Sequence, residues 1–130
     1  MPRSSIAAVL VHVEDVADGI AWYQRAFPNA VLKRIDALNF DYLALGEIHL
    51  EVVSADEKVT SGASGSVVYW FVPHFEQALE HMQGVGATLY RGPMDIEQGQ
   101  RMCQVRDPWG NCIGLRGPSR HGSQSNELQI

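Results

Sequence analysis

The feature that most constrains this chain is an apolar pattern that runs twice. Residues 6–13 (Ile-Ala-Ala-Val-Leu-Val-His-Val) are rich in β-branched side chains and read as a strand. Asp15 stands where a helix N-cap belongs, with Asp18 three positions on. Val16, Ile20, Tyr23 and Phe27 follow at helical spacing, and Pro28-Asn29 stops the helix. Three shorter strands are predicted near 30–35, 39–45 and 47–53, with Gly46-Glu47 turning between the last two. Residues 54–66 are linker-like. Then the plan restarts. Residues 67–72 read as a strand, Phe75, Leu79 and Met82 as a helix stripe, and Gly84 or Gly86 as its stop. Strands are predicted near 87–91, 101–106 and 111–116, with Asp107-Pro108-Trp109-Gly110-Asn111 as the turn between the last two.

Val13 and Val72 thus hold equivalent places, as do Ile20 and Leu79, Tyr23 and Met82, and Glu51 and Gly114. A repeat this long is no solenoid unit. It predicts an α+β fold in which one domain, residues 1–118, is made of two βαβββ modules, about 1–56 and 64–118. The polar stretch 119–130 is expected to be a flexible tail.

Composition narrows the partners. Lys and Arg number 10 against 15 Asp and Glu, a formal net charge of −5. That balance argues against nucleic acid or an anionic membrane as partner. A hydrophobic share of 45 % supports a packed core. No apolar run approaches the ~18 residues of a membrane span. The opening Met-Pro-Arg-Ser-Ser leads straight into a strand pattern, which predicts no signal peptide. Cys103 and Cys112 fit neither a CxxC nor a zinc spacing. They read as reduced packing residues, and a cytoplasmic setting is expected.

Strand alternation sorts side chains onto two faces. One phase holds Val9, Val11, Val13, Ile48, Leu50, Val52, Val68, Trp70, Val72, Ile113 and Leu115, all apolar, and predicts the face packed by helices. The other phase holds Leu10 and His12, His49 and Glu51, Tyr69 and Phe71, then Cys112, Gly114 and Arg116. This mixture of aromatic and ionisable groups suits a small-molecule site, although one wet face is also ordinary for such a sheet.

Several of these stretches resemble one family. Val13-Glu14-Asp15-Val16, Ala21-Trp22-Tyr23 and Ala26-Phe27 are similar to the first-module signature of the glyoxalase / bleomycin-resistance / extradiol-dioxygenase (vicinal oxygen chelate) superfamily. Asp107-Pro108-Trp109-Gly110-Asn111-Cys112-Ile113 resembles its turn before the last strand, and Gly84-Val85-Gly86-Ala87 and Arg91-Gly92-Pro93 fit its second module. The resemblance spans roughly residues 6–118 and implies two modules whose curved sheets form a barrel-like cleft. It also implies a homodimer. The family's enzymes, among them lactoylglutathione lyase and dioxygenases, hold a divalent metal through four ligands. Position by position, these fall at Ala8, Glu51, Val67 and Gly114, of which only Glu51 can bind metal. The departure points to the metal-free, bleomycin-type binding branch: a small organic ligand, and no cofactor. The alternative is a lyase, isomerase or dioxygenase with a rearranged metal at Glu51 and His49.

On this reading the ligand-binding candidates are His12, His49, Glu51, Tyr69, Phe71 and Arg116. Tyr69 and Phe71 can wall a planar ligand. Arg116 can grip an anion or pair with Glu51. Trp70 is expected in the core, Trp22 in packing or an interface, and Trp109 either as an exposed aromatic capping a cleft mouth or as an ordinary surface residue.

Overall fold

A computed structural model describes residues 6–63 and 65–120. The chain divides into two compact units, Met1–Ser61 and Gly62–Ile130. The N-terminal residues 1–5, read above for a leader, and 121–130 of the expected tail lie outside the described residues. No helix among the described residues is long and apolar enough to cross a membrane.

The first unit contains β1 (Ala8–Val13), α1 (Val16–Ala26), β2 (Val31–Ile35), one 3₁₀ turn (Asp36–Leu38), β3 (Phe40–Leu45) and β4 (Ile48–Ser54). Its sheet has the order β1-β4-β3-β2, with β1 parallel to β4 and the other pairs antiparallel. The second unit contains β5 (Val68–Phe71), α2 (Phe75–Gly84), β6 (Thr88–Asp95), β7 (Gln100–Arg106) and β8 (Cys112–Pro118). Its order is β5-β8-β7-β6, with β5 parallel to β8 and the rest antiparallel. This is an α+β architecture of two four-stranded mixed sheets, each with one helix, built on the repeated plan expected from the sequence.

Each helix starts and stops for a local reason. Asp15 caps α1 through Oδ1, which accepts the Asp18 N–H at 3.0 Å. The cap residue of α2 is His74, whose side chain makes no capping bond. Gly86, at φ 105°, closes α2 in a Schellman motif. Its N–H donates to Gln83 O at 3.1 Å, and the Ala87 N–H reaches back to Met82 O at 2.9 Å.

In the first unit α1 packs on β3 and β4, burying Val13, Trp22, Tyr23, Ala26, Leu43, Leu50 and Val52. The buried stripe of α1 is Gly19, Trp22, Tyr23 and Ala26. Val16, Ile20 and Phe27, expected to face the core, are only half-buried. Gly19 is the cause: a Cβ there would meet Val52 Cγ1 at 2.6 Å and Val13 Cγ2 at 2.8 Å. Without that atom the helix backbone settles on the sheet at Gly19, and the stripe turns with it. Trp22 is therefore a packing residue.

In the second unit α2 lies over β8, β7 and β6. Phe75, Met82, Cys103, Val105, Ile113 and Leu115 are buried there. Trp70, expected in the core, is half-buried. It sits on β5, one of the two edge strands of its sheet. Phe75, wholly buried at 0 % exposure, fills the centre instead.

Two polar clusters hold this unit's connections. Asp107 Oδ1 accepts the N–H groups of Trp109 and Asn111 at 2.9 and 2.8 Å, while Asn111 Nδ2 donates to Asp107 Oδ2 at 2.9 Å. Asn111 Oδ1 also receives the Gly62 N–H at 2.9 Å, so the turn anchors the unit's first residue. Trp109 is half-buried in this turn. Ser119 and Arg120, placed above in a flexible tail, are fixed. Ser119 Oγ donates to Glu76 Oε2 at 2.7 Å and the Arg120 N–H to Glu76 Oε1 at 3.2 Å. Arg101 Nη1 stands 3.5 Å from the same carboxylate. Burial raises the pKa of Glu76, but the bonds from Ser119 and Arg120 and the Arg101 contact outweigh it and hold the pKa low.

Candidate functional site

The pairing registers fix which side chains share the sheet faces turned away from the helices. In the first unit Ala8 stands beside His49, Leu10 beside Glu51 and His12 beside Val53. β1 and β4 are parallel, so these neighbours face the same way. His49 and Glu51 come together, with His49 Nδ1 at 3.8 Å from Glu51 Oε2. Tyr42 stacks on the His49 ring at 4.1 Å and 23°. His12 lies one alternation further along β1, beyond the Glu51 level. Strand alternation on β3 would have brought Tyr42 into the site, since it is in phase with Ala44, the partner of His49.

In the second unit the corresponding face carries Tyr69 and Phe71 from β5, Cys112, Gly114 and Arg116 from β8, and Met102, Gln104 and Arg106 from β7. The Tyr69 ring lies directly over Gly114. A Cβ built on that glycine would fall 2.5 Å from Tyr69 Cδ1 and 2.6 Å from Cγ. Gln104 Nε2 donates to Tyr69 Oη at 2.8 Å, and the Cys112 thiol meets Gln104 Oε1 at 3.3 Å. Burial raises the Cys112 pKa, with the nearby Arg106 and Arg91 opposing it and Asp107 adding to it. Cys103 faces the helix side of the same sheet, and burial pushes its thiol up to about 11 against the opposing charge of Arg101. Both cysteines are free thiols.

Phe71 is on this face but is 67 % exposed. Arg116, a candidate partner for Glu51 or a ligand, places Nη2 3.3 Å from Glu97 Oε1. Glu97 follows β6 and lies nineteen residues from Arg116 in sequence, so no local pattern announces the pair. Reading β7 by alternation would have found Gln104 and Arg106. Arg91 was out of reach because β6 bulges. Leu89 pairs with Val105 but Arg91, not Tyr90, pairs with Gln104. The extra residue turns Arg91 to the face that Gln104 occupies.

The model of the Glyoxalase/Bleomycin resistance protein/Dioxygenase superfamily matches residues 5–115. The chain belongs to this superfamily. Solved structures with the same fold include a superfamily member from Sphaerobacter thermophilus, 14 % identical at a TM-score of 0.70, covering 88 % of this chain and 98 % of that one. The fosfomycin resistance protein FosX from Listeria monocytogenes is 12 % identical at a TM-score of 0.68, covering 94 % of this chain and 98 % of its own. TioX from Micromonospora sp. ML1 is 21 % identical at a TM-score of 0.64, covering 88 % and 98 %. No curated protein matches the chain.

At the four places where the superfamily resemblance puts metal ligands, Ala8, Val67 and Gly114 offer no side-chain donor. Among the described residues no group of three or more His, Cys, Asp or Glu comes together. A catalytic metal takes about three protein ligands and keeps one open position. The donors at hand, His49 and Glu51, are two.

Proposed function

We propose that this superfamily member binds a small organic ligand through the open faces of its sheets and does so without the divalent metal of the superfamily's enzymes. The observation that carries the reading is the Tyr69 ring over Gly114. The space a metal-binding carboxylate would use at that position is filled by an aromatic wall, and the donor set does not fit the metal. Tyr69, Phe71, Glu51, His49, His12 and Arg116 are the proposed ligand contacts, with Tyr42 and Gln104 added by the geometry. The alternative, a lyase, isomerase or dioxygenase with a rearranged metal, draws its support from the 3.8 Å approach of His49 to Glu51. The proposed assembly is a homodimer in the cytoplasm.

The test is an elemental assay on protein purified without chelator, joined to a thermal-shift screen of divalent metals and of aromatic and antibiotic-like compounds. FosX is named for fosfomycin resistance and the superfamily for bleomycin resistance, which sets the starting panel. Far less than stoichiometric zinc, nickel, iron or manganese is expected, with the midpoint raised by an organic compound. A stoichiometric metal that is lost in Glu51→Gln overturns the reading and installs the alternative.

A further inference from the structure

We propose that the open face of the second sheet is an anion site, taking a planar organic acid by its carboxylate or phosphate group. The inference rests on the ligand-binding reading above and names its substrate class.

The hydrogen-bonding inventory of the face is one-sided. Gln104 Oε1 is engaged by the Cys112 thiol, and Gln104 Nε2 donates to Tyr69 Oη. A tyrosine hydroxyl that accepts from an amide has its own proton to give elsewhere. What the face then offers a ligand is mostly donors: the Tyr69 O–H, the second Gln104 amide N–H and the guanidinium groups, against one remaining lone pair on Gln104 Oε1. An acceptor-rich group complements such a surface best.

Charge points the same way. Arg91, Arg106 and Arg116 share the face, in a chain whose net charge is −5. Arg116 is balanced by Glu97 in an exposed pair. Arg91 and Arg106 have no carboxylate ion-pair partner among the described residues. Arg106 is held in place without being neutralised. Its Nε donates to Gly110 O at 3.2 Å, and its guanidinium carbon lies 5.1 Å from the Tyr90 ring centroid. The β6 bulge brings Arg91 opposite Gln104, next to the same strand. An Arg held by a carbonyl and an aromatic ring keeps its full charge for a ligand, which a salt-bridged Arg does not. The Tyr69 ring over Gly114 supplies the flat apolar surface beside these donors. On the first unit's face the Glu51 carboxylate offsets Lys33, which the register places in phase with Tyr42 and His49, so the second face is the more cationic and the one that suits an anion.

The probes are benzoate, phenyl phosphate and the neutral analogue benzamide. The readout is the Nε–Hε resonances of Arg91 and Arg106 in ¹⁵N-labelled full-length protein. Both acids are expected to shift these resonances, and benzamide to bind about tenfold or more weakly. Affinity for the acids is expected to fall by about tenfold in Arg91→Gln and to fall again between roughly 50 and 500 mM salt. Arg34→Gln, which removes an exposed cation paired to Asp41 in the first unit, is expected to leave it unchanged. Tighter phenyl phosphate assigns the natural group to a phosphate, and tighter benzoate to a carboxylate. The proposal is overturned if benzamide binds as well as benzoate with the same resonances moving, a result that leaves small-ligand binding standing. It is also overturned if Arg91→Gln, folded by its melting curve, binds the acids unchanged. Should none of the three probes shift these resonances, the anion site falls, and the broader screen alone decides whether the chain binds small molecules.

Discussion

The two units share a strand order and a helix position, yet they differ at the places where repetition is not required. Both join their first and last strands in parallel and add the other two antiparallel. Both seat a helix on the inward phase of the sheet. The helix ends differ: α1 has a capped start at Asp15, whereas α2 has an uncapped start at His74 and a glycine-closed end. The open faces differ more. One joins a histidine, a carboxylate and a tyrosine, and the other carries arginines around an aromatic ring laid on a glycine. The comparison teaches that burial of alternate apolar residues is enough to keep the repeated backbone. The exposed phase is then left to diverge in chemistry.

The largest expected effect breaks the second unit alone. Phe75→Ala empties the centre of its core and is expected to cost about 3–5 kcal/mol in urea unfolding. Trp70→Ala, on the edge strand, is expected to cost about half of that or less, because a half-buried ring loses less packing. Equal losses for the two would show that β5 is packed as a central strand is.

A smaller effect sharpens the contrast at the helix starts. Asp15→Ala is expected to lower stability by about 1 kcal/mol through loss of the bond to the Asp18 N–H. His74→Asp gives α2 the cap it lacks and is expected to raise the melting point, by roughly 0.5–1 kcal/mol in stability. If both substitutions lower stability, the His74 side chain has a role that a cap cannot replace.

The smallest effect is in pH. Glu76 has a folded pKa below the ordinary carboxylate value, held there by Ser119, the Arg120 N–H and Arg101. A carboxylate depressed in the folded state adds stability that is present above the unfolded pKa and is lost as pH falls through the folded pKa. Acid titration of stability is therefore expected to steepen below about 4.5 in the native chain and to flatten in Glu76→Gln.

Much of the backbone plan was legible because it is written in local rules. β-Branched runs, the Asp15 cap, Gly86 past the second helix and the 107–111 turn each act within a few residues. Alternation placed Leu50, Val52, Ile113 and Leu115 on the buried phase, where they are. The errors came from effects between elements. Gly19 was passed over because an absent side chain adds nothing to an apolar count, yet it sets the rotation of α1. Trp70 was placed in the core by its alternation phase, which does not show that β5 is an edge strand. On the site faces, His49 and Glu51 were legible as neighbours two apart on one strand. The Arg116–Glu97 pair and the bulge at Tyr90 were not, since each depends on how a hairpin closes.

The second sheet also separates its two thiols. Cys103 and Cys112 sit on neighbouring strands of one hairpin but on opposite faces, the first sealed at 1 % exposure under the helix and the second only partly covered. The thiolate is the form that electrophiles capture, and the Cys103 thiol, at about 11, yields almost none of it near neutrality. An alkylating reagent thus meets Cys112 in the native protein and reaches Cys103 when α2 lifts from the sheet. The order in which the two sulfurs are modified is a clock for the opening of this core, and the chain carries that clock without an added label.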